Sequence, residues 1–149
     1  MTTRPAMLSG GRGIAALMGL EAASLAVASA LHLSGLVHGH GHGFSSTGAG
    51  AAEAVIGVVL LWGAVSLART GAAGRPAALG ATVFAIAGFI YGLTVTTRGG
   101  DLPDITYHAT VLPLLIVTLV LILRSKPTAP GPGGSRRTRP GAANTQLRS

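Results

Sequence analysis

Few side chains in this 149-residue sequence can do chemistry: four acids, five histidines and no cysteine. Without Cys there are no disulfides, thiolate zinc sites, iron–sulfur clusters or cysteine nucleophiles. Glu21, Glu53, His32 and His108 all fall within long apolar runs. A charge at mid-membrane costs about 2.5–3.5 kcal/mol on insertion scales, so such a residue turns inward and finds a partner. Glu21 and His32 lie eleven residues apart, close to three helical turns, and therefore share one face. Asp104 precedes His108 by four residues, a spacing at which a carboxylate holds one imidazole nitrogen and fixes the tautomer that the other offers. His38, His40 and His42 alternate with glycine in a connector nearby.

Four readings of these residues stay open. In one, His32, Glu53 and His108, oriented by Asp104 and helped by His38, His40 and His42, bind a divalent transition metal such as zinc or copper. In a second, His32 and His108 are the axial ligands of a b-type haem held in a helical bundle. In a third, Glu53, His32 and Glu21 form a proton or ion path. In the fourth no cofactor is bound, and the same groups are interhelical hydrogen bonds that orient a small bundle.

The elements that position them follow from composition. Apolar residues make up 48% of the chain and charged residues 10%, with a mean hydropathy of +0.56; a soluble domain carries about 25% charged residues. The apolar residues form four blocks, at about 13–37, 50–68, 76–97 and 104–123, each near the length of a helix crossing a ~30 Å hydrocarbon layer. The expected fold is all-α, an integral membrane four-helix bundle at 13–124. It is preceded by a short segment at 1–12 and followed by a disordered basic tail at 125–149, too poor in large apolar residues to fold. In this arrangement His32, Glu53, Tyr91 and His108, one from each helix, share one outer layer, with Glu21 deeper.

Local signals agree with these boundaries. Pro76 suits the first turn of the third helix, and Asp104 suits an N-terminal cap of the fourth. Pro113 lies inside the fourth block and predicts a kink. Ala77, Ala81, Ala85, Gly88 and Gly92 recur every three or four residues and predict a close helix contact, within the bundle or between copies of the chain. Ala28-Ser29-Ala30 resembles a signal-peptide cleavage site, but apolar character continues beyond it and the first block reads as a retained span.

Ten of the eleven basic residues fall on one side of a four-span layout and only Arg98 on the other, which predicts cytoplasmic termini. The net charge of +7 is spread over flanks and tail, without a basic face interleaved with aromatics, so nucleic acid is not an expected partner. The expected partner is the lipid bilayer, with a second copy or another membrane protein on the small-residue faces. Hydrolase and phosphate-binding motifs are absent, which argues against an enzyme and for a structural, accessory or binding protein.

Three stretches carry a resemblance: Gly48-Ala49-Gly50-Ala51-Ala52-Glu53-Ala54-Val55-Ile56-Gly57, Phe84 to Leu93, and Asp104-Ile105-Thr106-Tyr107-His108 followed by Leu112-Pro113. Together they resemble small four-span membrane proteins of high-GC Gram-positive bacteria, over about residues 13 to 124. The resemblance implies a bacterial plasma membrane and a four-span topology, and no catalytic residue.

Overall fold

The computed structural model describes residues 10–37 and 45–125. Among them the only regular structure is helical: α1 (Gly11–Leu33), α2 (Ser46–Thr70), α3 (Arg75–Gly99) and α4 (Leu102–Arg124), with a 3-10 turn, Gly71–Gly74, joining α2 to α3. Three continuous helical segments are long and apolar enough to cross a membrane: Gly11–Leu33, Ser46–Gly99 and Leu102–Arg124. The middle one, 54 residues long, contains α2, the turn and α3. Residues 1–9, and the basic tail from 126 onward, lie outside the described residues.

The helix ends follow from local chemistry. Ser45 caps α2 by accepting a hydrogen bond from the Gly48 N–H at 3.1 Å. Gly35, at φ 72°, ends α1 in the left-handed conformation that a side chain would disfavour, with its N–H and that of Leu36 returning to His32 and Leu31. Pro76 occupies the first turn of α3, as its missing N–H predicts. The capping position of α4 belongs to Asp101 instead of Asp104. Asp104 lies one turn further in, buried, because its carboxylate faces two histidines and the backbone start is already set by Leu102-Pro103. The helix continues through Pro113 to Arg124.

Apolar side chains point both inward and outward. Ile14, Met18, Leu25, Leu60, Phe89 and Leu115 form the core, while Leu20, Val58, Trp62, Ile90 and Val117 are exposed. A helix apolar on all sides belongs in a membrane or a large core. Threonines in α3 and α4 satisfy themselves by donating one turn back, as Thr82 does to Ala78 and Thr110 to Thr106.

α1 packs most extensively on α2, α2 on α3 and α3 on α4, while α4 returns only lightly to α1. The small-residue stripe is used within the bundle. A Cβ at Gly88 would lie 2.5 Å from Ile56 Cδ1 of α2, and one at Gly92 would lie 2.6 Å from His108 Nε2 of α4. Gly50 performs the same service between α2 and α1, since a Cβ there would meet Leu33 Cγ at 2.8 Å and His32 Cβ at 3.0 Å. Close backbone approach is what lets short side chains meet across these seams.

Candidate metal centre

The α1–α2 seam sets the first half of the site. Ser29 Oγ donates to the Gly50 carbonyl at 2.7 Å, so α1 is continuous and packed through Ala28-Ser29-Ala30. One turn further out, His32 Nδ1 and Glu53 Oε2 are 2.8 Å apart. An ionised carboxylate only accepts, so Nδ1 is the donor and the opposite edge of the ring is turned away from Glu53. Ser46 Oγ lies 2.6 Å from the Val37 carbonyl and 2.9 Å from that of His32, and its single hydroxyl hydrogen, donated to either, ties the end of α1 to the start of α2.

α4 supplies the second half. Asp104 Oδ1 lies 3.7 Å from His32 Nε2 and 3.1 Å from His108 Nδ1. His108 Nδ1 is also 3.0 Å from the Asp104 carbonyl, an atom that can only accept, so this nitrogen carries the proton and Nε2 presents its lone pair. Phe89 supports the ring from α3, with centroids 5.0 Å apart, and Tyr107 meets it edge-on at 5.8 Å.

His32, Glu53 and Asp104 each offer one ligand atom, and these atoms all lie within 4.8 Å of one another. All three residues are at least 95% buried. Glu53 Oε1 and both Asp104 oxygens have no hydrogen-bond partner among the described residues, where these two acids pair with His32 and His108. Two carboxylates thus share a buried space with two imidazoles and no arginine or lysine. Such a set is short of positive charge, and its converging ligand-type atoms could hold a metal ion. Zinc bonds to nitrogen and oxygen run ~2.0–2.2 Å, which places neighbouring ligand atoms roughly 3–3.5 Å apart, so modest side-chain closure suffices.

The structure redistributes the residues singled out from sequence. His32 and Glu53 meet as expected, and Asp104 joins them as a ligand-type group. His108 sits behind Asp104 and orients it. Tyr91 does not enter the cluster: it is 72% exposed, and α3 contributes Gly92 and Phe89 in its place, because the face that packs on α4 needs a residue small enough to admit the imidazole. Glu21 is buried but deeper, held by Thr118. His38, His40 and His42 lie outside the described residues. Tyr107, Ser24 and Thr118 carry no signal in sequence that separates them from other hydroxyls in an apolar run.

A cavity of about 280 Å³ adjoins the cluster, with Glu53, Phe89, Gly92, Thr96 and His108 in its wall. It connects the buried carboxylate to the outside between α2, α3 and α4.

Comparison with protein-family models, curated proteins and solved structures finds no match for the chain. Function therefore has to be argued from the site.

Proposed function

We propose that this chain is a four-span membrane protein that binds a divalent first-row transition metal near one face of the bundle, through His32, Glu53 and Asp104, with His108 as the residue that positions Asp104. The observation that carries the reading is the convergence of two buried carboxylates and an imidazole from three helices, with three acid oxygens lacking hydrogen-bond partners among the described residues. Imidazole with carboxylate suits zinc, manganese, iron, nickel or copper(II), and the absence of thiolates disfavours copper(I). The Asp104–His108 pair is the carboxylate–imidazole support common around metal ligands. A haem between His32 and His108 finds less support, since the Asp104 carboxylate stands between the two rings. A path across the bundle also finds less, because the inner half of the core is built from Ile14, Met18, Leu60, Leu67, Leu115 and Ile122.

Four spans are supported by the 3-10 turn at Gly71–Gly74, which divides a 54-residue helical segment into two lengths that each suit a bilayer. Arg12, Arg69, Arg75 and Arg124 mark one end of the bundle and Arg98 the other, which supports termini on the cytoplasmic side of a bacterial plasma membrane. The protein then acts by binding its ion, with no catalytic group assigned, and the site faces away from the cytoplasm.

The test is zinc binding by the purified full-length protein in detergent, followed by chelator competition. The expected result is about one tightly held zinc per chain, lost in His32→Ala and Asp104→Asn while helical circular dichroism is kept. Wild-type protein that retains no metal, or variants that retain it fully, would refute the reading and leave the cluster as interhelical packing.

A further inference from the structure

The seam between α1 and α4 holds an acid that the metal reading does not use. Glu21 is 4% exposed. Its Oε1 accepts a hydrogen bond from Thr118 Oγ1 at 2.7 Å, and its Oε2 has no partner among the described residues. No arginine, lysine or histidine pairs with it there. A groove of about 600 Å³ runs over it between the two helices, walled by Leu17, Leu20, Val111 and Leu114, with Ser24 and Tyr107 toward its outer end. Leu20 and Leu114 are exposed, so the mouth opens onto the apolar outer surface of the bundle.

These features constrain an occupant. Apolar walls call for an apolar body, and a mouth on the apolar surface means entry from the lipid. The volume is that of a pocket for a drug-sized molecule, about 300–1,000 Å³. An unpartnered acid oxygen without a basic neighbour calls for positive charge, and the Tyr107 ring beside it adds an attractive face for a cation. A metal ion would find one carboxylate among leucines and valines, too few ligands to replace its water. A neutral acyl chain would leave the acid unmatched.

We propose that the α1/α4 groove binds a lipophilic organic cation, such as a hydrophobic amine or phosphonium, whose charge pairs with Glu21. The proposal assumes that the bundle sits in a membrane and is independent of the metal centre.

Equilibrium dialysis of tetraphenylphosphonium against the full-length protein in detergent tests it. Binding should saturate at about one site per chain, and Glu21→Gln should weaken it at least about tenfold, the loss of a desolvated charge pair. Thr110→Trp, which fills the groove from its exposed rim without touching Glu21, should weaken it as well, and this variant decides the matter if Glu21→Gln does not fold. His32→Ala should leave it unchanged, so failure of the metal reading is seen separately. Uncharged tetraphenylsilane should compete poorly. Non-saturable partitioning, equal competition by the uncharged analogue, or wild-type affinity in both groove variants would overturn the proposal.

Discussion

Gly92→Ala is a small change with a calculable effect. The added Cβ would lie 2.6 Å from His108 Nε2 and 3.0 Å from its Cδ2. Non-bonded contact begins near 3.4 Å, so the imidazole must retreat by about 0.8 Å. On its other side the ring is held by Nδ1 at 3.0 Å from the Asp104 carbonyl and 3.1 Å from Oδ1. Retreat from Gly92 drives Nδ1 against acceptors already at hydrogen-bond distance, so the imidazole must swing out of line with them, or α3 and α4 are forced apart. Overpacking costs about 1–3 kcal/mol, and loss of the His108 hydrogen bond to the Asp104 carbonyl about 0.5–1.5 kcal/mol. Disturbing a group that orients a metal ligand lowers affinity about 10–100-fold. Two controls separate these effects. At Gly88 an added Cβ meets Ile56 Cδ1 at 2.5 Å, the mobile end of an apolar side chain, so Gly88→Ala should lower stability and leave metal affinity intact. At Gly19 nothing lies within 4 Å, and Gly19→Ala should be neutral or slightly stabilising. Thermal unfolding and zinc competition in detergent read both quantities. Wild-type zinc affinity in Gly92→Ala would refute the claim that His108 positions Asp104.

Other expectations concern the bundle. Thr118→Val removes the hydrogen bond donated to the buried Glu21 carboxyl and should destabilise by about 1–3 kcal/mol in thermal unfolding, with no loss of zinc binding. Arg75 donates from Nε to the Ile122 carbonyl at 3.0 Å and from Nη2 to the Leu123 carbonyl at 2.8 Å, so it closes the C-terminus of α4. Arg75→Gln should cost about 1–2 kcal/mol and show first as exchange of the last amides of α4. Because the chain lacks cysteine, single cysteines at Ser45 and Thr128 should label from opposite sides of intact cells. Labelling from one side would sink the four-span layout.

Much of the architecture was legible in sequence because helices long and apolar enough to cross a membrane leave a plain signal: apolar blocks of bilayer length, glycines and prolines between them, and few charges. Helices appear at all four blocks; α2 begins four residues early, at Ser46, α1 stops at Leu33, four residues short of the expected end, and the other bounds shift by one or two residues. The site was legible in type and less so in arrangement. Glu53 and His32 could be paired by depth alone. Depth does not give rotation about a helix axis, however, and a rotation of one residue decided α3: Tyr91 faces outward and Gly92 faces the imidazole. Asp104 looked like a cap because caps and ligands use the same side chains. Thr118 was invisible because a threonine that satisfies its own helix and one that reaches an acid on another are the same letter.

The light seam between α1 and α4 bears on how the bundle finds its final form. Each of the other neighbouring pairs is also consecutive in the chain, so each can form as soon as its second helix does. The last seam joins the first helix to the fourth. Three polar side-chain contacts cross it: Glu21 with Thr118, Ser24 with Tyr107 and His32 with Asp104. Such contacts each contribute only about 0.6 kcal/mol on average within membranes. They are spaced along the helix, however, and a slip of α4 by one turn would separate all three at once and strip the buried Glu21 of its Thr118 hydrogen bond. The seam thus works as a register check on the finished ring, favouring one alignment of the last helix over neighbours that hydrophobicity alone would accept.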